Sequence, residues 1–160
     1  MSLQSISPTT RIESPPVVFS SISVLILTSI HHAYGAYIYN TVWRLDVVVA
    51  SAVGALVIAL CFWAASRHAD QMSGRIALWL GLIVVAGLPV VAIGLFEGGY
   101  NHVLKNLVYF LASPETYRQM FPATTYEIPT NWIFEGTGIA QFPLALLAAW
   151  HASWLLGRKR

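Results

Sequence analysis

The sequence predicts an all-α integral membrane protein: a four-helix, up-down bundle with a long, partly helical loop between its third and fourth spans. Three observations carry this. The 160-residue chain is 56% hydrophobic and only 10% charged, whereas a soluble domain is about 25% charged. Four stretches reach the roughly 20 mostly apolar residues that cross a bilayer. The links between the first three are short, which makes consecutive spans antiparallel neighbours.

The elements follow in order. Residues 1–16 are rich in Ser, Thr and Pro and read as a flexible tail ahead of a single domain over 17–160. The first span covers about 17–39. Arg11 is the one cation before it, the apolar run is too long for a signal-peptide core, and no small-residue cleavage pattern follows, so it reads as a retained span. The 40–46 link leads to a second span over about 47–65, which holds the lone cysteine, Cys61. One cysteine allows no intramolecular disulfide. Asp70 and Gly74 punctuate the turn before a third span over about 76–96, where Pro89 is expected to kink the helix. The fourth span, about 138–156, carries Pro143 and alanines spaced four apart. Ala50 and Gly54, and Gly94 and Gly98, repeat this small-residue spacing, which favours close helix packing.

The loop over about 98–135 is too long to lack structure. Gly98-Gly99 reads as a break at its start. Leu104, Leu107, Val108 and Leu111 then recur at helical spacing, as an amphipathic helix lying in the interface would require. Ser113-Pro114-Glu115 reads as a second helix start, with serine as N-cap and proline at the first helical position.

Six of the nine Lys and Arg residues (Arg11, Arg67, Arg75, Arg158, Lys159 and Arg160) fall on one side of this topology, against Arg44, Lys105 and Arg118 on the other. The positive-inside rule then places both termini in the cytoplasm, and the composition fits a bacterial inner membrane. The net charge of +2 gives no reason to expect a nucleic-acid partner. The expected partners are the lipid bilayer, a lipophilic small molecule, and a second copy or another subunit of a membrane complex.

The chemistry gathers at the extracytoplasmic rim. Phe96-Glu97-Gly98 ends the third span and Phe134-Glu135-Gly136 opens the fourth, so both glutamates emerge on one side. His31, His32 and His102 fall on that side too. A carboxylate near hydrocarbon is costly and marks a functional site by default. Imidazole with carboxylate suits Zn, Fe, Mn or Cu, so His31, His32, Glu97, His102 and Glu135 are the candidate metal ligands, for catalysis on a lipophilic substrate or for metal handling, with Glu97 and Glu135 also the candidate catalytic groups. Adjacent residues on a helix point about 100° apart, so His31 and His32 cannot both aim inward. No HExxH, ExxH or CxxC pattern supports the site; topology alone does. His151 lies about 24 Å of helix rise from Glu135 and belongs elsewhere.

Three further readings compete. Glu135 can simply complement a helix dipole, with Asp46 as an N-cap beside Arg44. Two carboxylates and a histidine without metal suit acid–base work of isomerase or cyclase type on a lipophile. A non-catalytic accessory subunit would use the rim residues for contacts between chains. A bis-histidine haem needs partners at matched depth. A transport pathway needs charges at mid-depth in spans two and three, which have none.

Overall fold

The computed structural model describes residues 15–157. Arg11 and Arg158 to Arg160, on which the orientation partly rests, lie outside the described residues. So does most of the expected tail. Its last two residues, Pro15 and Pro16, already belong to α1 (Pro15–Ile38), where proline's fixed φ suits a first helical turn.

Helices account for nearly all the rest, and no strand occurs among the described residues. α2 covers Arg44–Arg67 and α3 Met72–Val85. A π-helical segment, Ala86–Leu104, continues α3 without a break and passes into α4, Lys105–Leu111. α5 is Pro114–Met120 and α6 is Trp132–Gly157. Four helices are long and apolar enough to cross a membrane: α1, α2, the continuous Met72–Leu111 helix and α6. α1 packs on α2 and α6, α2 on α3, and the π-helical segment on α6.

The third helix differs from expectation. Gly98 and Gly99 do not break it, and the helix over 104–111 is its continuation rather than a separate interfacial piece. Packing explains this. A Cβ at Gly98 would lie 2.7 Å from the Phe142 backbone nitrogen, and one at Gly94 would collide with the Ala145 methyl. These glycines let the third helix press against α6. The buried positions of the segment, Pro89, the adjacent pair Ile93 and Gly94, Gly98 and His102, recur every four to five residues. That is wider than the 3.6 of an α-helix and matches π-helical winding. The true connection to α6 therefore starts near Ala112. Within it, Ser113 accepts the Thr116 backbone N–H and caps α5 with Pro114 at the first position, as expected.

α2 also starts earlier than expected. Its N-cap is Trp43, which makes no side-chain capping bond, and Asp46 sits inside the first turn. There it complements the helix dipole rather than capping the helix.

The surface is apolar and much of the interior is not. Val49, Leu56 and Ile83 are all more than half exposed, whereas Ser20, Ser21, Thr28, His31, Ser51 and Gln141 are almost fully buried. An apolar core built around Leu25, Ile58, Phe62, Leu82 and Val85 fills the half of the helices away from the rim residues.

Candidate metal centre

Three long helices each deliver part of the site. α1 carries His31 and His32 on its penultimate turns, buried to 0% and 5% exposure. The π-helical segment carries Glu97 and His102, and α6 carries Glu135. All five predicted residues come to one place. The wide winding matters here: it puts Glu97 and His102, five residues apart, on one face, as i→i+5 geometry requires.

One Glu97 oxygen, Oε1, is the hub. It lies 3.5 Å from His31 Nε2, 3.5 Å from His102 Nε2 and 3.7 Å from His32 Nε2. The His31 and His102 Nε2 atoms are 3.2 Å apart. His31, Glu97 and His102 form a group that could hold a metal ion, with their ligand atoms all within 4.8 Å of one another. The spacing is chemically apt. Ligands at about 2.0–2.1 Å around a tetrahedral ion sit about 3.3 Å from each other. His32 stands just outside this triangle, its ring edge-on to His31 at 5.1 Å, so the structure brings both adjacent histidines to the site but makes His31 the central one.

Glu135 has a different position from the other four. Its Oε2 accepts from His102 Nδ1 at 2.8 Å and from the Asn106 amide at 2.6 Å, and its Oε1 accepts from Lys105 Nζ at 2.8 Å. It stands behind His102, on the far side of the ring from Glu97. Lys105 and Glu135, 2% and 5% exposed, form a buried ion pair. Lys105 also donates to the Glu127 backbone carbonyl. Such a pair is strongly destabilised when one member is removed.

The hydrogen bonds around the rings constrain their protons. The Thr137 hydroxyl donates to the Ile133 carbonyl at 2.8 Å or the Phe134 carbonyl at 3.1 Å and stands 3.0 Å from His31 Nδ1, where it accepts when the imidazole hydrogen is on Nδ1. Glu135, held by Lys105 and Asn106, accepts from His102 Nδ1. With both rings neutral and protonated on Nδ1, the two Nε2 atoms present lone pairs to each other and to Glu97 Oε1; on an imidazolium, Nε2–H donates to Glu97 Oε1 instead. The other Glu97 oxygen accepts from Asn101 at 2.7 Å.

Packing holds the rings in place. Phe134 stacks on His31 with centroids 4.2 Å apart. Gly138 faces the His102 imidazole, and a Cβ there would collide with the ring. Arg44, buried to 7% exposure, pairs with Glu127 at 3.6 Å, donates to Thr41, and lies over the rings of Trp43, Tyr39 and Phe134. Its ionic partner is Glu127 rather than Asp46. His151 meets Ser20 at 3.0 Å at the opposite end of α1 and α6, away from the site as expected.

Lys105, Asn106, Asn101 and Thr137 were not among the predicted site residues. The signal was present in the four-residue spacing Gly94, Gly98, His102, Asn106, which the supposed glycine break concealed. Comparison with protein-family models, curated proteins and solved structures finds no match.

Proposed function

We propose that the chain is a four-span, up-down integral membrane protein whose rim site binds one divalent transition metal (Zn, Fe, Mn or Cu) and uses it for catalysis on a lipophilic substrate. Membrane insertion is supported by the four long apolar helices and by an apolar exterior around an interior that buries several polar side chains. A bacterial inner membrane with both termini cytoplasmic fits the distribution of Lys and Arg.

The single observation that carries the metal is the pair of facing imidazole nitrogens, His31 Nε2 and His102 Nε2, 3.2 Å apart; in this reading both rings carry their protons on Nδ1. Two lone pairs and a carboxylate oxygen at that spacing need a cation among them. Two histidines and one glutamate give three protein ligands, the number that leaves a further position for substrate or water. In this reading Glu97, His31 and His102 are the ligands and His32 lies beside the open position. Glu135 orients His102 and raises its basicity.

A second reading is favoured by the same observation. The cation can be a proton, making one ring imidazolium and the site an acid–base centre of isomerase or cyclase type. Elemental analysis separates the two. Detergent-purified parent protein, supplied with metal and never exposed to chelator, is expected to hold near-stoichiometric metal. Folded Glu97→Gln is expected to hold almost none. Absence of metal from the parent would leave the proton-bridged site as the reading.

A further inference from the structure

Beside the His/Glu group lies a cavity of about 590 Å³ between α2 and the π-helical segment, a size that suits a small organic ligand. Its lining changes character along its length. His32, Glu97 and His102 form one wall. Beyond them the lining is apolar: Val47 and Ala50 from α2, Leu88, Ala92 and Phe96 from the π-helical segment.

Ser51 also lines the cavity. It is 1% exposed, and its hydroxyl has no hydrogen-bond partner among the described residues. Four other helical serines (Ser20, Ser29, Ser66 and Ser153) give theirs to a backbone carbonyl of the preceding turn; buried Ser21 shares the unpartnered state of Ser51 but does not line the cavity. A buried hydroxyl without a partner is costly, and one beside a cavity is available to a ligand.

The charges around the mouth restrict the head group. Both cations there already have carboxylate partners: Arg44 with Glu127, Lys105 with Glu135. Asp46 and Glu97 also line the cavity. With a divalent ion at the His/Glu group, Arg44, Lys105 and the ion balance the four carboxylates, so no surplus cation is left for an anionic head; an alkyl end would leave Ser51 and the His/Glu group unpartnered.

We infer that the cavity binds a neutral lipophile with an oxygen function, an alcohol or carbonyl, its oxygen shared between the His/Glu group and the Ser51 hydroxyl and its apolar body against Ala50, Leu88 and Ala92. The inference rests on the metal-centre reading for what the oxygen meets; the cavity and its lining stand independently of it.

The test is photolabelling of the full-length purified protein with a long-chain alcohol carrying a mid-chain diazirine, with metal content measured on the same samples. Labelling is expected on peptides holding Ala50 or Ala92, suppressed by the unlabelled alcohol and much less by the matching fatty acid or alkane. Ala92→Phe, which fills the space, is expected to reduce labelling at least tenfold without loss of metal. Ser51→Ala, a milder change that preserves packing, is expected to reduce it about two- to tenfold, the range of one hydrogen bond. Labelling spread over the outer faces of the helices, equal competition by the alkane, or no change in either variant would overturn the inference. Site labelling that persists in metal-free parent protein supports the cavity and removes only the metal reading. Metal retained without site labelling removes the cavity's ligand and leaves the metal reading intact.

Discussion

His31 Nε2 faces His102 Nε2 across 3.2 Å, and each ring's other nitrogen is held by a hydrogen bond. Thr137 and Glu135 are those partners. Neither contacts the point where the lone pairs meet, yet both decide what can bind there. The site is therefore built in two tiers. The inner one offers electron pairs. The outer one prevents a tautomer change that would let the two imidazoles satisfy each other.

That arrangement predicts the effect of removing the Thr137 hydroxyl. In Thr137→Val the His31 Nδ1 proton has no acceptor, so the proton moves to Nε2 and donates to His102. Metal affinity is expected to fall about 10- to 100-fold, the usual cost of losing an orienting partner. Competition against a fluorescent chelator measures it. Unchanged affinity would mean that the ring protons are not held as assigned.

Glu97 and Glu135 should separate by phenotype. Glu97→Gln removes a ligand and is expected to abolish binding with a small change in stability. Glu135→Gln leaves Lys105 charged, buried and unpaired, a loss of about 3–5 kcal/mol, and thermal unfolding in detergent should show it. Adding Lys105→Met to Glu135→Gln should recover much of that loss, because the uncompensated charge is gone. A double variant no more stable than Glu135→Gln alone would show that the ion pair is not what Glu135 contributes.

The sequence showed the four apolar helices and the five rim residues because both signals are local. Hydrophobic run length marks the helices, and the cost of ionisable groups near hydrocarbon marks the rim. It did not show the division of labour between Glu97 and Glu135, since both stand in Phe-Glu-Gly triplets at helix ends. Only the fold reveals that one aims at the histidines and the other sits behind a ring. Lys105 and Asn106 were hidden for a related reason. Glycine pairs favour turns in isolation, and only the approach of Phe142 and Ala145 shows that Gly94 and Gly98 serve contact within a continuous helix. Once the helix is continuous, Lys105 falls one turn beyond His102 and must be buried with it.

Acidification should release the metal. Both imidazoles bind metal only when neutral, so protons compete for Nε2. An ordinary histidine titrates near pH 6.5. The sign is clear: retention holds as pH rises from neutrality and falls as pH drops, with up to two protons taken up for each ion lost. Dialysis between pH 5 and 8 followed by elemental analysis checks this. Retention independent of pH over that range would place the ion on carboxylates alone.

A pair of glycines two residues apart, on opposite faces of α6, provides the sharpest control on ring placement. At Gly138 a Cβ would collide with the His102 ring, whereas at Gly136 it would meet nothing within 4 Å. Alanine is a better helix former than glycine by about 1 kcal/mol, so Gly136→Ala should be neutral or slightly stabilising and should leave metal binding intact. Gly138→Ala gains the same propensity but must push the imidazole away from Glu97 and His31 or spread α6 from the π-helical segment. Overpacking of this kind costs about 1–3 kcal/mol, and the displaced Nε2 should cut metal affinity at least tenfold. Equal behaviour of the two alanine variants in unfolding and metal titration would mean that the His102 ring has room to move, and that its position is not what forms the centre.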